Sequence, residues 1–325
     1  MSIKKGLRCI TIEDFTTHSH FKVEKINVFF EIFGNESMLQ EHGVMVCHAL
    51  TGDSHATGEK GWWKDFVGEN KTINTHKNPV IAFNIPGNGF DGAKKNLISN
   101  YQDFNVRDMA TLMLLALKKL GLTKMHSVVG GSLGGGIAWE LIVQAPTLFE
   151  KAIIIGAHYE STDWVIGHNY IQLEILKNKY KPLEIARMMA MMFYRTPESF
   201  ESKFYRKKNS DGTFEIENYL NYQGIKLKNR YNIVAYRLMT HLLSQIDIIE
   251  GRNTLENAVK NITSKVILVG IENDYLFQKE YNKDSIPLLK SIGIDVEYRE
   301  LASIHGHDAF LIEIEKMHEL LKDLF

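Results

Sequence analysis

Only two cysteines occur in 325 residues, Cys9 and Cys47, far apart and in no metal-like spacing. That scarcity excludes a disulfide framework and points to a reduced, cytoplasmic setting. Charge of one sign is also lacking: 38 Lys and Arg face 39 Asp and Glu, for a net charge of −1. With no long basic block, nucleic acid and anionic membrane are excluded as expected partners. No run approaches the ~18 apolar residues of a membrane span, and the first residues lack the apolar stretch of a secretory signal. Internal repeats and low-complexity tracts are absent as well. What is present is a 44% apolar chain, able to bury a large core. Its length is generous for one domain and short for two, so a core carrying an insertion is expected.

Residues 7–34 alternate in places between apolar and polar, as in Phe21-x-Val23, and predict two or three antiparallel strands closing at Gly34-Asn35. Short largely apolar runs then recur: 43–47, 80–84, 126–130, 151–156 and 266–270. Such runs suit strands covered on both faces of a parallel sheet. Between them, residues 106–122 carry Met109, Met113, Leu114, Ala116 and Leu120 at helical spacing, with Asp103 upstream as a possible cap and Gly121 at the stop. Strand and helix alternation predicts an α/β fold, a mainly parallel central sheet with helices on both faces. From about Tyr159 to Asn257 the strand pattern gives way to short helix-like apolar intervals, with Thr196-Pro197 as a helix start. The expected organisation is a core of residues 1–158 and 258–325 with a helical lid insertion at 159–257. The Met-rich face at 188–192 reads as core packing. A further helix around 283–292, a strand at 296–298 and a terminal helix from about Ala309 to Phe325 complete the pattern.

The stretch Val128-Val129-Gly130-Gly131-Ser132-Leu133-Gly134-Gly135-Gly136 joins an apolar run to a helix-like pattern. A bare G-x-S-x-G arises by chance in roughly one chain of this length in ten. Its placement between strand and helix is the context of a nucleophile elbow. Five glycines in seven positions remove the side chains that would crowd a strained serine.

A nucleophile needs an orienting acid, a base and oxyanion donors. In an elbow fold the chain order is serine, acid, histidine. Asp274 follows the strand 266–270 and stands where rim residues gather, with Glu272 as the competing acid. His307 follows Gly306 before the last helix and is preferred over His305 as the base. The backbone N–H of Leu133 is one expected oxyanion donor, and Leu50, in the glycine-punctuated loop after the third strand, the other.

Taken together, His48-Ala49-Leu50-Thr51-Gly52, Gly61-Trp62-Trp63, Gly130-Gly131-Ser132-Leu133-Gly134-Gly135, Tyr194-Arg195, Tyr222-Gln223-Gly224 and Gly306-His307-Asp308-Ala309-Phe310-Leu311 resemble the homoserine O-acetyltransferase family of α/β-hydrolase-fold acyltransferases. The match runs in order over about residues 40–315. The resemblance implies transfer of acetyl from acetyl-CoA to the hydroxyl of L-homoserine in methionine synthesis. It also implies a cytoplasmic homodimer with no metal and no permanently bound cofactor. It makes Ser132 the nucleophile, Asp274 the triad acid and His307 the base; Arg195 would grip the amino-acid carboxylate and Asp308 its amino group. Thr51, in the motif of Leu50, is expected among the substrate-binding residues. Succinyl-CoA-dependent relatives tend to carry arginine two positions after the triad aspartate; Leu276 stands there and favours acetyl. Leu133 replaces the usual Met, Gly136-Ile137-Ala138-Trp139 departs from the family pattern, and 158–176 matches it loosely. Serine as acceptor, succinyl-CoA as donor, a small-ester hydrolase and a non-enzymatic binding protein are the alternatives.

Overall fold

The structure, a computed structural model, describes residues 6–325. Among the described residues eight strands form one sheet: β1 (Arg8–Thr16), β2 (Lys22–Phe33), β3 (Val44–Cys47), β4 (Val80–Phe83), β5 (Met125–Gly131), β6 (Phe149–Ile155), β7 (Lys265–Ile271) and β8 (Val296–Leu301). Their order across the sheet is β1-β2-β4-β3-β5-β6-β7-β8. The alternating N-terminal stretch forms the antiparallel hairpin β1–β2, with Arg8 opposite Phe30 and Thr16 opposite Lys22. β2 also runs antiparallel to β4, and every other neighbouring pair is parallel. The C-terminal ends of β3, β5, β6, β7 and β8 therefore share one rim.

The continuous apolar runs are explained by the two faces they serve. Side chains alternate across a strand. Val44 and Val46 enter one core cluster while Met45 and Cys47 enter the other, and Ile153 and Ile155 part in the same way from Ala152 and Ile154. Each such fully buried side chain contributes roughly 1.5–3 kcal/mol. On one face α1 (Val106–Lys119) and α2 (Leu133–Gln144) cover the sheet; on the other lie Trp63, Phe66 and α9 (Ile314–Leu321).

α1 starts at Asn105, not at Asp103: Asn105 Oδ1 accepts the Asp108 N–H at 3.0 Å, and Asp108 Oδ2 accepts the Asn105 N–H at 2.9 Å. This reciprocal box satisfies two otherwise orphaned amides, which Asp103, two residues too early, could not. Gly121, at φ +76°, ends the helical stretch. The expected single C-terminal helix is broken at Glu313 (φ −87°, ψ 55°) into a short turn at Ala309–Ile312 and α9. There Glu313 accepts the Ser303 hydroxyl at 2.9 Å.

Among the described residues no strand of the sheet lies between Ile155 and Lys265. That interval holds α3 (Asp163–Ile175), α4 (Pro182–Tyr194), α5 (Pro197–Phe204), α6 (Glu215–Arg230) and α7 (Ile233–Ser244), and α8 (Lys279–Ser291) follows between β7 and β8. The chain leaves the sheet and returns through a two-stranded stem. Ser161 N–H donates to Ile246 O at 2.7 Å and Ile248 N–H to Tyr159 O at 3.1 Å. Two close approaches dock these helices: a side chain at Gly136 of α2 would collide with Ile246, and one at Gly224 of α6 with the Glu184 backbone of α4. Met191 is buried as expected, but Met192 is 49% exposed, so only part of the Met-rich face packs inward.

Candidate active site

β5 ends at Gly131 and α2 begins at Leu133, leaving Ser132 alone at the turn with φ 56° and ψ −125°. A non-glycine residue there is strained by about 1–3 kcal/mol, a cost the surroundings must enforce. They do so by proximity. A Cβ at Gly130 would lie 2.1 Å from Gly134 O, and one at Gly134 would lie 2.2 Å from Cys47 O. The glycines thus let α2 press against both its own strand and the end of β3. Ser132 N–H donates to Ile155 O at 2.9 Å, fixing the turn to β6.

Asp274 and His307, 33 residues apart, meet at the rim. Asp274 Oδ2 accepts His307 Nδ1–H at 2.7 Å, and Oδ1 accepts the Leu276 and Phe277 amides, both at 2.8 Å. Three donors hold this carboxylate in one orientation. His307 is 3% exposed and packed by the rings of Tyr194, Phe277 and Phe310 at 5.7–6.0 Å. Burial disfavours its charged form, but the charge and hydrogen bond of Asp274, with Asp308 behind, outweigh that and raise its pKa above 6.5. The imidazole lies beside the elbow. A Cβ on Gly156, the residue after the Ile155 carbonyl that binds Ser132, would stand 3.4 Å from both His307 Cε1 and Asp274 Oδ2. No hydrogen bond joins the Ser132 hydroxyl to His307 among the described residues; such contacts are commonly loose until substrate arrives. The competing acid, Glu272, gives its backbone N–H to Leu301 O, and His305 pairs with the Ser199 hydroxyl at 2.9 Å.

Leu50 and Leu133 are both buried, and among the described residues neither backbone N–H has an acceptor. Leu133 directly follows the serine, and Leu50 follows the end of β3, on which Gly134 of α2 packs; two unspent amides so placed suit a developing oxyanion. The loop bearing Leu50 is held by His48, which the motif reading left without a role. His48 Nδ1–H donates to Ala49 O at 2.7 Å, while Nε2 accepts Ile85 N–H at 3.0 Å. Trp63, of the paired tryptophans, donates Nε1–H to Phe310 O at 3.3 Å and so steadies the turn that carries His307.

Arg195 ends α4, and its Nε lies 3.6 Å from Asp308 Oδ2. Arg195 Nε and Nη1 are buried with no hydrogen-bond partner among the described residues. A guanidinium with two unsatisfied N–H groups beside a carboxylate is a site for a ligand carrying both charges. Thr51 is placed by Arg230, whose Nη1–H donates to Thr51 O at 2.7 Å. Sequence reasoning missed Arg187, which stacks on the Tyr194 ring at 5.5 Å and pulls against the burial that raises the Asp308 pKa. The only local signal for it was helical spacing: Arg187 stands two turns before Arg195 on α4. Among the described residues no group of three His, Cys, Asp or Glu could hold a metal.

His48, His158 and His168 are buried neutral, their pKa values pulled down to about 4 chiefly by burial. Unfolded, each titrates near 6.5, so the unfolded chain binds more protons throughout that interval. Their contribution to stability is complete above pH 6.5 and is lost as pH falls toward 4, at up to about 1.4 kcal/mol per group and pH unit. His307 has the opposite sign, its contribution fading only as pH rises through its raised pKa. Thermal melts should therefore give a Tm that drops steeply between pH 6.5 and 4.5. A flat or rising Tm in that window contradicts the burial of three neutral imidazoles.

The profile of the alpha/beta hydrolase fold family matches residues 44–286. A homoserine O-acetyltransferase of Cyclobacterium marinum is 32% identical over 96% of this chain and 88% of its own length. That of Carboxydothermus hydrogenoformans is 28% identical over 97% and 93%. Among solved structures, homoserine O-acetyltransferase from Bacillus anthracis superposes with a TM-score of 0.86 at 20% identity, covering 100% of this chain and 98% of that one. Esterase E22 does so with 0.86 at 17%, covering 98% and 99%. A transferase and an esterase fit equally well, so the fold alone does not choose between them.

Proposed function

From the premise that this chain belongs to the homoserine O-acetyltransferase family of α/β-hydrolase-fold acyltransferases, we propose that it moves acetyl from acetyl-CoA to the side-chain hydroxyl of L-homoserine, a step of methionine synthesis. In the first half-reaction His307 Nε2 takes the Ser132 proton as Oγ attacks the thioester carbonyl. The Leu50 and Leu133 amides hold the oxyanion. The tetrahedral adduct collapses, the C–S bond breaks, and the CoA thiolate leaves with the proton from His307, giving acetyl-Ser132. In the second, His307 takes the proton of the homoserine hydroxyl, whose oxygen attacks the acetyl carbonyl. Collapse breaks the bond to Ser132 Oγ, which recovers its proton from His307, and O-acetylhomoserine departs. The helices at 159–257 act as a lid that keeps water, the competing acceptor, from the acyl-serine. The protein works in the cytoplasm as a homodimer, and its two unpaired cysteines accord with that.

The observation that carries this reading is the Arg195–Asp308 ion pair beside His307, in which Arg195 Nε and Nη1 still lack hydrogen-bond partners. An amino acid offers a carboxylate to the first and an ammonium to the second; a plain ester offers neither. A succinyl donor would need a countercharge, and Leu276 is a buried apolar side chain. The test is the purified protein with acetyl-CoA or succinyl-CoA, crossed against homoserine, serine and water, following free thiol. Rapid thiol release only with acetyl-CoA and homoserine is expected. Equal release without any amino acid would make the protein an esterase.

Arg195→Lys keeps the charge but loses the fork. The expected result is a homoserine KM raised by roughly 30–150-fold, from about 2–3 kcal/mol of lost charged hydrogen bonding. Acetylation of Ser132 by acetyl-CoA, measured alone, should persist. An unchanged KM would remove Arg195 from the acceptor site.

A further inference from the structure

Beyond the elbow rim, the segment following Arg195 builds a second feature that the acyl-transfer scheme does not use. α5 runs from Pro197 to Phe204, and Tyr205 and Arg206 both follow in the left-handed region, at φ 46° and 55°. Two consecutive non-glycine residues there are costly and mark a site held in shape for a reason. The result is a groove of about 300 Å³ with Phe200, Phe204, Phe214 and Ile216 in its wall and Arg206 and Lys207 on its rim. Tyr205 stands 75% exposed beside it.

Four cations occupy six positions here: Lys203, Arg206, Lys207 and Lys208. Among the described residues none of their side chains makes an ion pair. Instead, Arg206 and Lys208 lie over the Phe214 ring at 5.6 and 4.9 Å, and Lys203 over Tyr219 at 4.3 Å. Of the nearby carboxylates, Glu217 is spent on the Phe214 N–H and Asp211 on Thr213, leaving Glu201 in the groove wall and Glu215, whose backbone N–H bonds Lys207 O, against four cations. An aromatic wall under a surplus of unpaired cations suits a flat base attached to phosphates.

Distance ties the groove to the rim. The eight residues of α5 span ~12 Å at 1.5 Å per residue, starting beside Arg195. A pantetheine arm, comparable in backbone length to about four extended residues, reaches ~14 Å. At its near end α5 is fixed to the turn that carries His307, through Ser199 to His305 and Thr196 to the Ile304 carbonyl. Lys203, near its far end, still senses the Arg195 charge.

We propose that this groove binds the phosphorylated nucleotide end of the acyl-CoA donor, with Arg206 and Lys207 on its phosphates. The proposal rests on the acyl-CoA reading above. Its test compares acetyl-CoA with S-acetylpantetheine, the same thioester without the nucleotide, in acylation of the full chain. The unaltered protein should prefer acetyl-CoA by more than tenfold in kcat/KM, and the double variant R206Q/K207Q should lose most of that preference. In the unaltered protein adenosine 3′,5′-bisphosphate should compete with acetyl-CoA but not with S-acetylpantetheine. A preference that survives in R206Q/K207Q overturns the groove assignment while leaving the donor reading intact. So does a variant that changes the mass of the protein in solution but not its donor preference, which would make the groove a contact between copies. No acylation of the unaltered protein by either thioester overturns the donor reading itself, and the groove with it.

Discussion

Ser132→Ala should leave a folded protein that takes up no acetyl from labelled acetyl-CoA and turns over about 10⁶-fold more slowly. A loss of that size is typical when the nucleophile of a triad is removed, because base and acid have nothing left to activate. The backbone around position 132 gives no reason for misfolding. Alanine carries the same Cβ that serine already places at φ 56°, and the neighbouring glycines stay as they are. Tm should be unchanged or slightly higher, since removing a buried hydroxyl that makes no hydrogen bond among the described residues leaves no partner unpaired. Mass spectrometry of the intact protein after acetyl-CoA is the direct measurement. If an acetyl adduct still accumulates at a rate that supports turnover, another residue is the acyl carrier and the scheme fails at its first step.

Asp274→Asn is the second large effect, and it separates orientation from bulk. Asparagine preserves an oxygen for the Leu276 and Phe277 amides, so the loop after β7 keeps its shape. What changes is the partner of His307 Nδ1, where a carboxylate oxygen can give way to an amide N–H. The imidazole then presents the wrong tautomer to Ser132, and a fall of about 10⁴ in kcat is expected from a change of this kind. The pH profile carries an independent signature. The base must be neutral to act, so activity rises as pH climbs through the pKa of His307. In the unaltered protein Asp274 holds that pKa above 6.5, and the acidic limb of kcat/KM lies correspondingly high. Without the carboxylate, burial acts against the imidazolium with less opposition, and the limb shifts to lower pH. A variant with reduced rate but an unmoved limb would mean that some other group sets the profile.

How far the sequence can be read depends on the range of the physics involved. Strand runs such as 44–47 and 266–270 were legible because burial on both faces admits little but apolar side chains, and that constraint is written locally. The elbow was legible for the same reason: close approach of β5, α2 and the end of β3 tolerates only hydrogen at positions 130 and 134. The cap of α1 was misplaced by two residues, since Asp103, Asn105 and Asp108 are all good capping types and only backbone geometry selects among them. The broken C-terminal helix was missed because an amphipathic pattern continues through Glu313, whose departure depends on Ser303, ten residues earlier.

By itself, then, the chain's order of residues determined the parallel sheet, the serine at its turn, and the aspartate and histidine proposed here as its acid and base. Each of those is a short-range demand on side-chain size, polarity or backbone freedom. Tertiary structure alone decided that His307 meets Asp274 at 2.7 Å, that the Leu50 and Leu133 amides are left without acceptors, and that Arg195 keeps two buried N–H groups without hydrogen-bond partners beside Asp308. Those are facts about which groups are left unsatisfied once the chain has closed on itself, and no local pattern records what a distant segment will fail to supply.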